Sequence, residues 1–338
     1  MPSLSRTLPA LAFTLAALTS GLAGATSLDF GVSYAPSGGT LAQDSLLRFG
    51  VQDFQLSSFS LAAGLGTRGL DAALSRSLVL PGLGVARARA SGAVLFSGGL
   101  RGGLSVSGTA GPVALTLTGS AWNAGLTAFD PLARWAEAAP DLRESGASLE
   151  AAARYRLNRD VVLNVVGDLG GQSSLLAQAE LRAEALSYRF GVRAGQHVLG
   201  VTVGATYTDP DTGLNAALDA LAGPDTLGLT GHLGLDGALG DGSSLRVFVA
   251  YEPWRTTSEV LRYGAQVGLP VGNGTLDLEG YGGSRDQSLQ GQGFGLKVGY
   301  VLSLDVAAPA AAPDTGSVPS DNASAPSDNG GAATPAQP

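Results

Sequence analysis

The stretch 186–207 constrains the fold more than any other. Leu186, Tyr188, Phe190, Val192 and Ala194 alternate with Ser187, Arg189, Gly191 and Arg193. After Gly195, Gln196 and His197 the alternation resumes. Leu199, Val201, Val203, Ala205 and Tyr207 then stand against Gly200, Thr202, Gly204 and Thr206. Successive side chains of a strand point to opposite faces, so one face of this hairpin is apolar and the other small, hydroxylic or cationic. A soluble sandwich also alternates, with its apolar face turned inward. Here the polar face carries Arg and Gly, and similar segments recur along most of the chain. That pattern fits a barrel turned inside out, with apolar rows toward lipid and polar rows toward a lumen.

Composition supports the same reading. Mean hydropathy is +0.19, yet past the N-terminus no apolar run reaches the ~20 residues a membrane helix needs. Only 14% of the residues are charged and 44% are hydrophobic, so the hydrophobicity is dispersed as alternation. The absence of cysteine excludes a disulfide framework and thiolate-bound metal. Residues 1–25 read as a secretory signal peptide: Arg6 supplies the positive start, 8–18 is apolar, and Ala23-Gly24-Ala25 fits a cleavage site. A short membrane anchor is the competing reading, but no stop-transfer flank follows. The net charge of −8 becomes more negative without Arg6, which argues against nucleic acid as a partner.

Alternating segments are expected at 27–34, 46–54, 57–66, 84–95, 99–108 and 113–121, with 70–79 the weakest because its parity is blurred. The stretch 122–146 breaks the rhythm. Its residues 131–139 suit about two helical turns, in a loop either lid-like or folded inward as a constriction. Further segments follow at 147–157, 161–167 and 175–183, then the hairpin. A second insert, 208–225, holds a helical candidate at 214–221. Segments at 226–236, 245–251, 261–269, 275–281 and 294–304 complete the series. The count is about 17, whereas bacterial single-chain barrels are even, and five segments between the inserts would put them on opposite sides of a membrane. The expectation is an all-β, closed antiparallel transmembrane β-barrel of about 16 strands (range about 14–18) over residues 26–305. Residues 306–338 turn to Ala, Pro, Ser, Asp, Asn and Gly without aromatics, and repeat Pro-Ser-Asp-Asn at 319–322 and 326–329. Such a tail buries too little apolar surface to offset its ordering entropy and is expected to be disordered.

Tyr34, Trp122, Tyr155, Tyr207, Tyr251, Trp254 and Tyr300 sit near segment ends, where interfacial girdles are found. Taken together, residues 27–304 resemble bacterial outer-membrane β-barrel proteins, in particular general porins. The sharpest local match is to that family's C-terminal insertion signal, fitted here by Lys297, Gly299, Leu302 and Leu304. The departure is that the family ends on an aromatic residue at the chain terminus, whereas here the final position is Leu and a tail follows. The resemblance implies export to the cell outer membrane, contact with outer-membrane lipid and the barrel-assembly machinery, a homo-oligomer, and small polar solutes as cargo. It implies no cofactor.

The inferred inward face supplies the candidate pore-lining residues. Its cations are Arg48, Arg87, Arg89, Arg154, Arg156, Arg182, Arg189, Arg193, Arg246, Arg262 and Lys297. Its acids are Asp29, Glu150, Asp168, Glu180, Glu252, Asp277 and Glu279. Arg or Lys on the lipid face at mid-bilayer costs about 2–4 kcal/mol, which favours the lumen. A wide lumen would hold water between opposed charges; a narrow one would knit them into ion pairs and stay closed.

Enzymatic motifs are poor. His197 falls in a predicted turn, and His232 lies in a predicted strand beside no nucleophile at a fixed spacing. No His pair or thiol suggests metal, and the Gly-rich run 98–103 lacks the ending of a phosphate loop. The leading expectation is a passive channel for small hydrophilic solutes. Its rivals are a plugged structural barrel that contacts the envelope through its loops or tail, a barrel-embedded hydrolase, and a soluble secreted β-protein.

Overall fold

The alternation closes into a wall in the computed structural model, which describes residues 27–37, 39–81, 84–284 and 293–304. The first strands are β1 (Ser27–Tyr34), β2 (Ser45–Leu56), β3 (Phe59–Gly66), β4 (Gly69–Leu80), β5 (Gly84–Leu95) and β6 (Leu100–Ala110). Next come β7 (Val113–Trp122), β8 (Gly146–Arg156), β9 (Val161–Leu169), β10 (Ser174–Ala183), β11 (Leu186–Gly195) and β12 (Val198–Asp209). The last are β13 (Leu214–Ala222), β14 (Leu227–Asp236), β15 (Ser244–Tyr251), β16 (Leu261–Val271), β17 (Gly274–Ser284) and β18 (Gly293–Ser303). Each pairs antiparallel with its sequence neighbours, and β1 pairs with both β2 and β18, so the 18-stranded sheet has no edge. Closure of this kind satisfies every strand's backbone from both sides without water.

Parity is kept around the ring. Phe190 faces Val203 across the β11–β12 pair, and both are about half exposed on the outside, at 50% and 46%. Arg189, next to Phe190 in sequence, points to the opposite face and bonds Asp219 at 2.7 Å. The apolar rows therefore look outward and the guanidinium rows are enclosed. The expected hairpin pairing is present, from Leu186 opposite Tyr207 to Gly195 opposite Val198. Tyr34, Tyr251 and Tyr263 ring the outside near one rim, and Tyr155, Tyr188, Tyr207 and Tyr300 near the other. Trp122 and Trp254, expected in those girdles, are instead buried on the inward side.

The strand number is sharpened and two expectations are corrected. The barrel has 18 strands, at the upper end of the expected range and two more than the central value. The helical candidate 214–221 is strand β13, paired along its length with β12 and β14. Leu214, Leu218 and Leu221 mimic a helix face and Ala favours helix, but two flanking ladders override that preference. Residues 131–139 form no two-turn helix and hold only a 3-10 turn at Ala133–Trp135; the one α-helical turn of the insert is α2 (Leu126–Phe129), which follows the short α1 (Leu41–Asp44) in chain order. The weak segment 70–79 is a full strand, β4.

With β13 in place the loop asymmetry resolves. Connections 35–44, 123–145 and 252–260 all leave the same rim, while the opposite rim carries short turns such as 57–58, 111–112, 184–185 and 272–273. Among the described residues no helix is long and apolar enough to cross a membrane. The expected signal peptide 1–25 and the expected tail 306–338 lie outside the described residues.

Candidate functional site: a collared lumen

The wall places the sequence-predicted side chains on its inward parity: Arg87 and Arg89 on β5, Glu150, Arg154 and Arg156 on β8, and Glu180 and Arg182 on β10. Arg189 and Arg193 follow on β11, Arg246 on β15, Arg262 on β16, and Asp277 and Glu279 on β17. Glu252 stands just past the end of β15. Some of these meet. Glu180 takes Arg182 at 2.7 Å and Arg154 at 3.3 Å, and Glu279 takes Lys297 at 3.3 Å. Arg193 donates to the Ser174 hydroxyl at 3.1 Å and Arg156 to the Asn158 carbonyl at 3.4 Å. Arg87, Arg89, Arg246 and Glu150 form no ion pair among the described residues. In β18, Lys297 and Gly299 face inward, Leu302 faces outward, and Leu304 follows the strand's end.

Two pairings share one device. Arg189 on β11 lies across β12 to grip Asp219 on β13 with both Nε (2.9 Å) and an Nη (2.7 Å). The strand it crosses offers Gly204, where a Cβ would collide with the Asp219 carboxylate. Arg48 on β2 likewise crosses β3 at Gly64 to reach Asp71 on β4 at 2.9 Å, and also pairs with Asp29 on β1. Bidentate guanidinium–carboxylate contacts are directional and hold their geometry. These braces therefore lie over the glycine of the intervening strand and tie alternate strands together.

Residues 123–145 fold inward, and their contacts advance around the wall. The Thr127 carbonyl accepts from Arg68 in the β3–β4 connection at 3.2 Å. Phe129 and Asp130 face the cavity lined by Arg48, Asp29 and Lys297. Leu132 and Trp135 then press against β18 and β17. Trp135 is fully buried, in a slot made by Gly283, Gly293 and Gly295, and a Cβ at Gly283 or Gly293 would stand 2.9 or 2.5 Å from its indole. Next, Arg262 of β16 donates to the carbonyls of Ala136 (3.0 Å) and Glu137 (3.3 Å). The Glu137 carboxylate lies 3.3 Å from His232 of β14. The Leu142 N–H donates to the Thr257 carbonyl at 2.8 Å, and the Arg143 carbonyl accepts from Trp122 at 3.0 Å, back at the starting strand. The loop is thus a collar that lines the lumen near the long-loop rim.

Its anchor is ionic as well as apolar. The Arg262 side chain is shut away from solvent and bonds Glu252 at 2.5 Å and the Glu259 carbonyl at 2.7 Å. Glu252 also takes Arg255 at 2.7 Å. Burial pushes the Glu252 carboxyl up, but Arg255 and Arg262 outweigh it and hold it below its ordinary value. The collar's exposed charges are all acidic: Asp130, Glu137 and Glu144. Its arginines are engaged, Arg134 over the Trp135 ring at 4.0 Å and Arg143 on Asp141 at 2.7 Å. His232 lies between Glu137 and Asn215, with no hydroxyl or amine nucleophile bonded to it among the described residues.

Sequence reasoning missed Asp71, Asp219 and Arg101. The two acids sit on β4 and β13, the two strands whose pattern misled. Arg101 lies within the Gly-rich run 98–103, and its pairing with Ala93 and Trp122 places it inward.

No protein-family model matches the chain, and no curated protein sequence does. Among solved structures, the chain is similar to a triple mutant of the Rhodopseudomonas blastica porin at 11% identity and a TM-score of 0.47, covering 82% of this chain and 98% of that one. It is also similar to Pseudomonas aeruginosa OccK10 (OpdN) at 13% identity and a TM-score of 0.47, covering 83% and 99%. The class rests on the barrel itself. A closed antiparallel ring with aliphatic rows outside, ion pairs inside and an infolded loop has the architecture of a porin-like outer-membrane barrel.

Proposed function

We propose that this chain sits in the bacterial outer membrane and passes small hydrophilic solutes passively through its lumen. A ring of 18 strands encloses enough space for an aqueous channel. The observation that carries the reading is the collar: residues 123–145 are docked against the inner face of the ring and narrow it. The inward-facing Arg and carboxylate side chains are the lining that solutes meet, and the long-loop rim is the outer mouth. On this reading the N-terminal segment directs export, lipid contacts the apolar rows, and Lys297, Gly299, Leu302 and Leu304 serve recognition by the barrel-assembly machinery.

Planar-bilayer recording tests it. The folded protein gives discrete conductance steps, and Gly295→Leu, which fills the Trp135 slot, gives larger ones because the collar is displaced. A folded barrel that shows no steps, in parent and variant alike, overturns the open-channel reading.

A further inference from the structure

The lumen's arginines are neutralised on some walls and not on another. Residues 84–122, which form β5, β6 and β7, contain Arg87, Arg89 and Arg101 and no acid at all. Arg89 and Arg101 both line one cavity of about 330 Å³, together with Ser91 and, from the collar, Phe129. Both are exposed and form no ion pair among the described residues. The one carboxylate in the cavity lining, Asp71, is already held by Arg48 at 2.9 Å.

The register explains why the space between the two guanidiniums is open. Arg101 stands opposite Ala93 and Arg89 opposite Ser105, with the Ser91–Gly103 pair between them. Gly103 has no side chain to fill the gap, and a Cβ there would stand 2.9 Å from the Ser91 hydroxyl. Two guanidinium forks with no ion pair among the described residues and a hydroxyl thus line a hollow whose one carboxylate is already held by Arg48. Guanidinium groups bind carboxylates and phosphates through paired, charge-assisted hydrogen bonds.

The geometry points to a binding site for small oxyanions, either carboxylate or phosphate, at Arg89, Arg101 and Ser91 beneath the collar. This deepens the channel reading and takes its purpose from it: the site would hold anionic solutes in transit past the acidic collar.

The test is calorimetric titration of the full-length barrel, folded in detergent, with inorganic phosphate and separately with succinate at low ionic strength. The parent binds at least one of them saturably. The double variant Arg89→Gln/Arg101→Gln, shown to be folded by its heat-modifiable gel mobility, binds about tenfold or more weakly. Arg159→Gln, which removes one positive charge from an exposed turn at the opposite rim, leaves binding unchanged. Equal affinity in parent and double variant, equal weakening in Arg159→Gln, or silence toward both anions overturns the proposal. A response to one anion only identifies which oxyanion the site takes. Loss of binding in the double variant, with no conductance steps from the parent, would sink the channel reading and leave the site standing.

Discussion

Arg262 and Arg89 are the same residue type on the same inward parity, and they do opposite things. Arg262 is sealed beneath the collar, with Glu252 and three backbone carbonyls as acceptors. Arg89 stands in the open lumen with no carboxylate on its own or its neighbouring strands β4 to β6 left to pair with it. The first holds structure together, because a buried charge is tolerable only when its partners are all in place. The second is exposed and forms no ion pair among the described residues, so on the proposed channel reading it is available to a solute. The strand wall decides only that both point inward; the collar decides which is structural.

Arg262→Met should mark the contrast most strongly. It leaves Glu252 buried beside Arg255 alone, and breaking one partner of such a pair costs about 3–5 kcal/mol. Arg89→Met should change thermal unfolding by no more than about 0.5 kcal/mol. Equal effects of the two on unfolding temperature would erase the distinction. Trp135→Ala follows, at about 3 kcal/mol of collar docking, because it empties a slot lined by three glycines. Limited proteolysis within 123–145 would report it, with cleavage faster in the variant and the barrel strands still protected.

Acid sharpens the same comparison. The Glu252 pKa is depressed in the folded protein, so its contribution is fully present above the ordinary carboxylate value of 4.5 and fades as pH falls through its lower folded value. Collar protection against protease should therefore be constant from neutrality down to about that pH and fall below it. Glu252→Gln should remove that acid dependence, and a profile unchanged in the variant would refute the assignment. The smallest effect belongs to the wall braces. Arg189→Gln breaks a partly solvated pair and should cost about 1 kcal/mol or less in thermal unfolding, since exposed pairs are screened by water.

What could be read from the chain followed one rule. Where large apolar side chains alternate with Arg, Gly or Thr, as in 186–207, strand, face and partner were all legible. Where the outward row shrinks to Ala, or leucines fall at helical spacing, as in 214–222, the same parity was present and unreadable. That loss hid Asp219, and the blur at 70–79 hid Asp71, so each brace lacked the acid two strands away until the strands were paired, although Asp29, the other partner of Arg48, was already legible. The loop 122–146 announced itself by breaking the pattern, yet nothing local distinguished a lid from a collar. Its destination depends on Gly283, Gly293, Gly295 and Arg262, more than a hundred residues away in sequence.

Sequence by itself determined that the chain is a two-faced antiparallel wall, because a strand's side-chain period of two writes lipid-facing and lumen-facing rows directly into the order of residues. The number of strands, the pairing of each charge and the path of the collar were decided only by tertiary structure. Those depend on ring closure and on contacts between residues far apart in the chain, for which no local period exists.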